Sequence, residues 1–201
     1  MTVTLTLNVP LILAVAAAVL AVAGLAILYR WHRQRRARAA LVAAVTGCGF
    51  EHRRNVLVPD GQGGNLHVDF LLLTARGVVV VDLRDVAGNI FGGDQMTEWT
   101  VMHHARRYTF ANPQTGLYDR IAAVRALAPD LPVEGRILFT RRGRFPKGLP
   151  KHTLLLESLA AEYPPADRQA MAPLLERWTP SWSRLCAATL PSPLERPRPA
   201  I

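Results

Sequence analysis

Two aspartates interrupt otherwise apolar runs: Asp69 in Leu66–Thr74 (LHVDFLLLT) and Asp82 in Val78–Arg84 (VVVVDLR). A buried carboxylate is costly unless cations or hydrogen-bond donors compensate it. The short Ala75-Arg76-Gly77 connection predicts a three-residue hairpin loop, which brings Asp69 nearly opposite Asp82. Directly opposed residues have Cβ atoms roughly 4.5–5.5 Å apart. Two carboxylates at that spacing repel unless a cation lies between them. A hard divalent ion, most simply Mg²⁺, suits such oxygen ligands. Arg84, two residues beyond Asp82 and so on the same strand face, is the competing counter-charge. These residues alone leave both a metal site and a buried ion pair open.

A second cluster is basic. Arg141, Arg142, Arg144 and Lys147 surround Phe145, a pattern suited to a phosphate backbone with an aromatic ring to stack on a base. His103-His104 with Arg106-Arg107 reads as a solvated loop. Gly61-Gln62-Gly63-Gly64 lacks the Lys-Ser/Thr of a phosphate-binding loop and is given no nucleotide role. Cys48 and Cys186 are the only cysteines, which excludes a disulfide scaffold and a structural zinc spacing.

The elements that must position these groups follow from pattern and punctuation. A short strand is predicted over Arg54–Val58, ended by the turn signal Pro59-Asp60-Gly61. The two Asp-bearing runs are apolar on both faces and read as central strands covered on each side. A further strand is predicted near Thr97–Met102. Asn112-Pro113 opens a helix to about Leu127, with Ile121, Val124 and Leu127 at helical spacing. Arg136–Thr140 reads as a buried strand, Leu154–Tyr163 and Asp167–Trp178 as short helices, and the last 22 residues as an irregular Pro-rich tail. This order predicts an α/β fold with a mixed central sheet flanked by helices.

The chain has 201 residues, 50% of them hydrophobic, enough for one domain with an appendage and too apolar for disorder. It carries 22 Arg and 2 Lys against 15 acidic residues, a formal net charge of +9, and no charged side chain before Arg30. Leu11–Tyr29 is an uncharged apolar run of 19 residues. As a helix it covers roughly 28 Å, which predicts one transmembrane helix. The N-terminus lacks the basic region of a secretory signal, and Arg30, Arg33, Arg35, Arg36 and Arg38 follow the run. A single-pass membrane protein with its soluble domain on the cytoplasmic side is expected, with Arg30–Arg38 also meeting anionic lipid. The predicted segments are 1–36 (anchor and basic flank), 37–163 (the domain) and 164–201 (C-terminal helix and tail).

An Asp on the first hairpin strand and Asp82-Leu83-Arg84 on the second resemble the core of PD-(D/E)XK nucleases. More narrowly, the chain is similar to nuclease-related domain (NERD) proteins over residues 40–160. The matching pieces are His67–Leu73, Arg76–Arg84, Gly88-Asn89-Ile90, Trp99, Phe110-Ala111-Asn112-Pro113 and Ile137-Leu138-Phe139. The resemblance implies a restriction-endonuclease-like core and Mg²⁺-dependent hydrolysis of a phosphodiester in DNA or RNA. By position, Asp69 and Asp82 would hold the metal with the Leu83 carbonyl, and Arg84 would stand beside the scissile phosphate. Three departures accompany it. The family has Glu-x-Lys where this chain has Asp82-Leu83-Arg84, and an arginine cannot take a proton from water. The expected glutamate of the first helix is missing from Ala37–Val45, and the expected glutamine after Asn-Pro falls near Gly116, with Gln114 two positions away. The alternative reading is a catalytically inactive nucleic-acid-binding or membrane-bound interaction module.

Overall fold

The computed structural model describes residues 9–193, with side chains described at 13 and 16–193. It divides into two compact units, Met1–Ala43 and Ala44–Ile201. The first helix is α1 (Val9–Thr46, 38 residues). Its apolar side chains Val19, Val22, Leu25 and Ile27 are exposed, Val45 near its end is buried, and the Arg35 guanidinium lies 3.7 Å over the Trp31 ring one turn away. Among the described residues no helix is long and apolar enough to cross a membrane. The predicted span Leu11–Tyr29 includes positions 11, 12, 14 and 15, whose side chains lie outside the described residues.

Among the described residues the second unit has ten strands and three further helices. In chain order they are β1 (Glu51–Pro59), β2 (Asn65–Thr74), β3 (Gly77–Arg84), β4 (Gly88–Phe91), β5 (Glu98–His103), β6 (Arg106–Ala111) and α2 (Pro113–Leu127). Then follow β7 (Val133–Phe139), β8 (Gly143–Arg144), β9 (Thr153–Leu155), α3 (Leu159–Glu162), α4 (Ala172–Ala188) and β10 (Leu190–Pro191). A six-stranded mixed sheet runs β10-β1-β2-β3-β7-β9, with β3, β7 and β9 parallel. The mixed α/β architecture with flanking helices is as expected. Its centre, Val78-Val79-Val80-Val81, is fully buried on both faces, as a β-branched run must be when a sheet is covered twice. On one face Val78, Val80, Leu71 and Leu73 pack with Leu117, Ile121 and Val124 of α2 and with Trp178, Trp182 and Leu185 of α4.

Four details differ from the sequence reading. Thr97–Met102 was expected in one central sheet, but β5 belongs to a second sheet ordered β6-β5-β4-β8. Its partner β6 (RRYTFA) is half exposed, so it lacks the apolar run that marks a buried strand. Leu154–Tyr163 contains the short strand β9, a 3₁₀ turn at Leu156–Ser158 and only then one helical turn, because pairing with β7 overrides local helix propensity. α4 runs to Ala188 through Pro180, past the expected end at Trp178, since Trp182 and Leu185 gain burial by continuing it. The hairpin loop has two residues, Ala75-Arg76, not three: Thr74 pairs with Gly77, and the Thr74 hydroxyl donates to the Gly77 carbonyl at 3.0 Å.

The sheets are joined by aromatic packing. The fully buried Trp99 of β5 stacks on Phe139 of β7 at 6.1 Å and meets Phe110 and Phe145 edge-on. Gly77 is the tightest point of the hairpin, at φ +112°, where an added Cβ would strike the Pro132 carbonyl. Gly77→Ala should therefore cost about 2–4 kcal/mol, measured by chemical denaturation of the full chain; wild-type stability would show that the loop relaxes without cost.

Candidate functional site

The β2–β3 register decides which residues meet. Phe70 pairs with Val81, so the next step along the ladder sets Asp69 against Asp82. Both face α2, on the same side as Leu71 and Val80. Asp69 Oδ2 accepts a hydrogen bond from the Leu83 N–H at 2.8 Å. That contact uses the amide of Leu83, where the family resemblance assigned a role to its carbonyl. His67 Nδ1 lies 3.7 Å from Asp69 Oδ1, and its Nε2 is 2.7 Å from Asn55 Oδ1. Asn55 sits at φ +52°, and its side chain and backbone both bond Ser192 beyond β10.

Asp82 is 0% exposed. Its Oδ2 accepts from Arg84 Nη2 at 2.8 Å and from Arg120 Nη1 at 3.4 Å. Arg120 is fastened on both sides: Nε donates to the His67 carbonyl and Nη1 to the Gly116 carbonyl, each at 2.6 Å. Arg84 keeps 30% of its side chain exposed, while its buried Nε has no hydrogen-bond partner. Asp69, Asp82, Arg84 and Arg120 thus form a cluster of two negative and two positive charges. Sequence reading found three of them and missed Arg120. The signal was present: Leu117, Arg120, Ile121 and Val124 follow the i, i+3, i+4, i+7 spacing of a buried stripe, and Arg120 is its one charged member.

The residues do not fit a resident divalent cation as they stand. Among the described residues no group of three or more His, Cys, Asp or Glu side chains is arranged to hold a metal ion. The carboxylate that would carry most of the charge already receives two guanidinium groups, and a 2+ ion beside them would be repelled. What the cluster can do chemically is hold an anion at the open edge of Arg84.

The basic cluster lies close by. β3 and β7 are parallel, with Arg84 paired to Phe139, so the loop after β7 emerges at the end of the sheet that carries Arg84. Thr140 N–H donates to the Arg84 carbonyl at 3.0 Å, and its hydroxyl to Asp85 at 2.7 Å. Arg141, Arg142, Arg144 and Lys147 are all exposed; Arg142 pairs with Asp85 at 3.2 Å and Lys147 lies 5.9 Å over the Phe91 ring. Phe145 is not free to stack on a base, because it packs at 4.9 Å against Phe139 in the aromatic core. His103 and His104 meet edge-on at 4.3 Å at the β5–β6 turn, on the other sheet from the Asp82 cluster.

Gln114 is structural. Only 2% exposed, it donates from Nε2 to Asp94 Oδ1 and to the Lys151 carbonyl, both at 2.9 Å, and accepts from Asn112. Asn112 caps α2 at the Gln114 amide, with Pro113 following, as the Asn-Pro pair predicts. Gln114 therefore ties two loops to the start of α2 and does not reach the Asp82 cluster. The Gln114 amide, and after it the Lys151 N–H, hold the Asp94 carboxyl below its ordinary range.

Residues 34–140 match the family model of the nuclease-related domain, NERD. No curated relative and no solved structure matches the chain.

Two outcomes are expected from this geometry. Asp82→Ala leaves two inward-facing guanidiniums without their shared carboxylate and should lose about 3–5 kcal/mol in denaturant titration; an unchanged midpoint would mean that the cluster contributes nothing to stability. Asp94, with its depressed carboxyl, contributes stability that is present above the ordinary value of about 3.9 and lost as pH falls through the folded value. Melting temperature should thus drop more steeply below about pH 4 in the wild type than in Asp94→Asn, and parallel profiles would refute the linkage.

Proposed function

The chain belongs to the nuclease-related domain family, and we propose that it is a membrane-tethered module that grips a nucleic-acid backbone without cutting it. The domain is read as a PD-(D/E)XK-type core whose catalytic set has decayed. The observation that carries this reading is the Asp82 carboxylate, buried and bonded to Arg84 and Arg120 where a metal-dependent nuclease needs an open acid. The binding face is the shared end of β3 and β7, where Arg84 ends β3 and the segment carrying Arg141, Arg144 and Lys147 follows β7, an end at which ligands commonly meet parallel sheets. Phosphate oxygens suit these groups, since arginine presents a planar fork of donors.

The anchor is the uncharged run Leu11–Tyr29, with the soluble domain on the cytoplasmic side. Five of the 22 arginines fall within 30–38 immediately after it, which supports that orientation and contact with anionic lipid. Beyond that stretch the chain has 17 Arg and 2 Lys against 15 acids, so polyanion binding depends on where the arginines stand rather than on bulk charge.

A second reading, Mg²⁺-dependent phosphodiester hydrolysis, draws support from the facing Asp69 and Asp82. In that reading Asp69 and Asp82 would have to hold the metal, which would supply Lewis-acid polarisation of the phosphate, with Arg84 beside it.

One experiment separates the readings. Full-length protein in detergent micelles is mixed with labelled single-stranded DNA or RNA across salt concentrations, with EDTA or with Mg²⁺. Four phosphate contacts predict affinity falling about 50-fold between 50 and 200 mM salt, a shallower slope in Arg141→Ala/Arg144→Ala, and intact substrate throughout. Mg²⁺-dependent cleavage that Asp69→Ala abolishes would establish the hydrolase. Absence of any salt-dependent binding would leave an interaction module with no nucleic-acid role.

A further inference from the structure

Gly116 stands where the family resemblance expects a glutamine, and the structure gives that glycine a physical reason. A Cβ built on Gly116 would lie 3.0 Å from Arg120 Nη1, closer than ordinary van der Waals contact. The space that a side chain at 116 would fill holds the Arg120 guanidinium, which folds back one helical turn, donates to the Gly116 carbonyl and reaches Asp82 Oδ2. From there its Nε bonds the His67 carbonyl of β2. Only 13% of the Arg120 side chain is exposed, so the cation is held inside the fold together with the carboxylate it neutralises.

We propose that Arg120, admitted by Gly116, is a built-in counter-cation that replaces the divalent metal of the family at Asp82. The proposal rests on reading the β2–β3 hairpin as the family's site, and it goes beyond the binding function by assigning roles to two residues of α2. The groups facing Asp82 are Arg84 on β3 and Arg120 on α2, with Asp69 and His67 across the hairpin on β2. With two guanidiniums against two carboxylates, the cluster is neutral without any added ion. A neutral cluster exerts no net pull on Mg²⁺ or Mn²⁺, and Arg120 opposes their entry. Gly116 and Arg120 therefore act as a pair: the guanidinium folds back over a helical position that carries no side chain.

The test uses full-length protein in micelles, stripped with EDTA, with Mn²⁺ as probe. Two readouts are followed, melting temperature and the free Mn²⁺ electron paramagnetic resonance signal. Wild-type protein should show no saturable Mn²⁺ site below about 1 mM and no melting shift, in contrast to a carboxylate metal site. Arg120→Gln should melt roughly 10 °C lower, as expected for breaking a buried pair, and should regain part of that loss when Mn²⁺ is added. Stoichiometric Mn²⁺ binding by the wild type that Asp82→Asn removes would overturn the proposal, as would an Arg120→Gln protein that melts like the wild type. Should Arg120→Gln fail to fold, Gly116→Ala supplies the sign. Glycine-to-alanine in a helix ordinarily stabilises, whereas here the new Cβ meets the guanidinium and melting should fall; a rise would overturn the assignment. Neither readout involves nucleic acid, so loss of backbone binding and loss of the counter-cation would be told apart.

Discussion

A carboxylate shut away from solvent has to be neutralised from inside the protein, and Asp82 imposes that demand on everything around it. Being fully buried, it cannot borrow compensation from water. Arg84 answers from the same strand and Arg120 from a helix that crosses the sheet. The second partner draws in further structure. Arg120 reaches Asp82 past Gly116, where a Cβ would lie 3.0 Å from its Nη1, and the carbonyls of Gly116 and His67 accept from its Nη1 and Nε. A helix, two strands and one glycine are thus committed to a single charge.

The surroundings keep that arrangement rigid. α2 starts where it does because Asn112 caps it and Pro113 presets its first turn, and Gln114 then fastens the Asp94 and Lys151 loops to the same turn. Trp99 locks the second sheet to β7 through Phe139, and Phe145 completes that aromatic packing. Phe145 is thereby spent on the core, so the basic loop beyond β7 presents charge without an aromatic partner of its own.

An Asp–Arg pair in place of Glu–Lys is more than a conservative exchange. Lysine can lose a proton when buried, whereas arginine stays charged and offers a fixed fork of donors. With two arginines on Asp82, its carboxylate is compensated from within the protein. Arg84 stays paired to Asp82 while 30% of its side chain remains open.

Much of this was legible in the chain itself. The two Asp-bearing runs, the Gly-containing hairpin between them, the Asn-Pro helix start and the Arg-flanked apolar segment are local patterns of period, punctuation and charge, and each can be recognised within a window of about twenty residues. Those patterns determined the α/β class, the facing of Asp69 and Asp82, and the family likeness. Three matters were decided only in three dimensions. β9 and β6 became strands because neighbours were available for pairing, a condition that no local propensity encodes. Phe145 went inward because Trp99, far away in sequence and on the second sheet, meets it beside its near neighbour Phe139. The partner of Asp82 was Arg120, 38 residues further along the chain, because the crossover through α2 lays that helix over β3. Charge compensation acts through space, so a sequence shows which charges must be balanced, while the packing of the helix on the sheet chooses which residue does it.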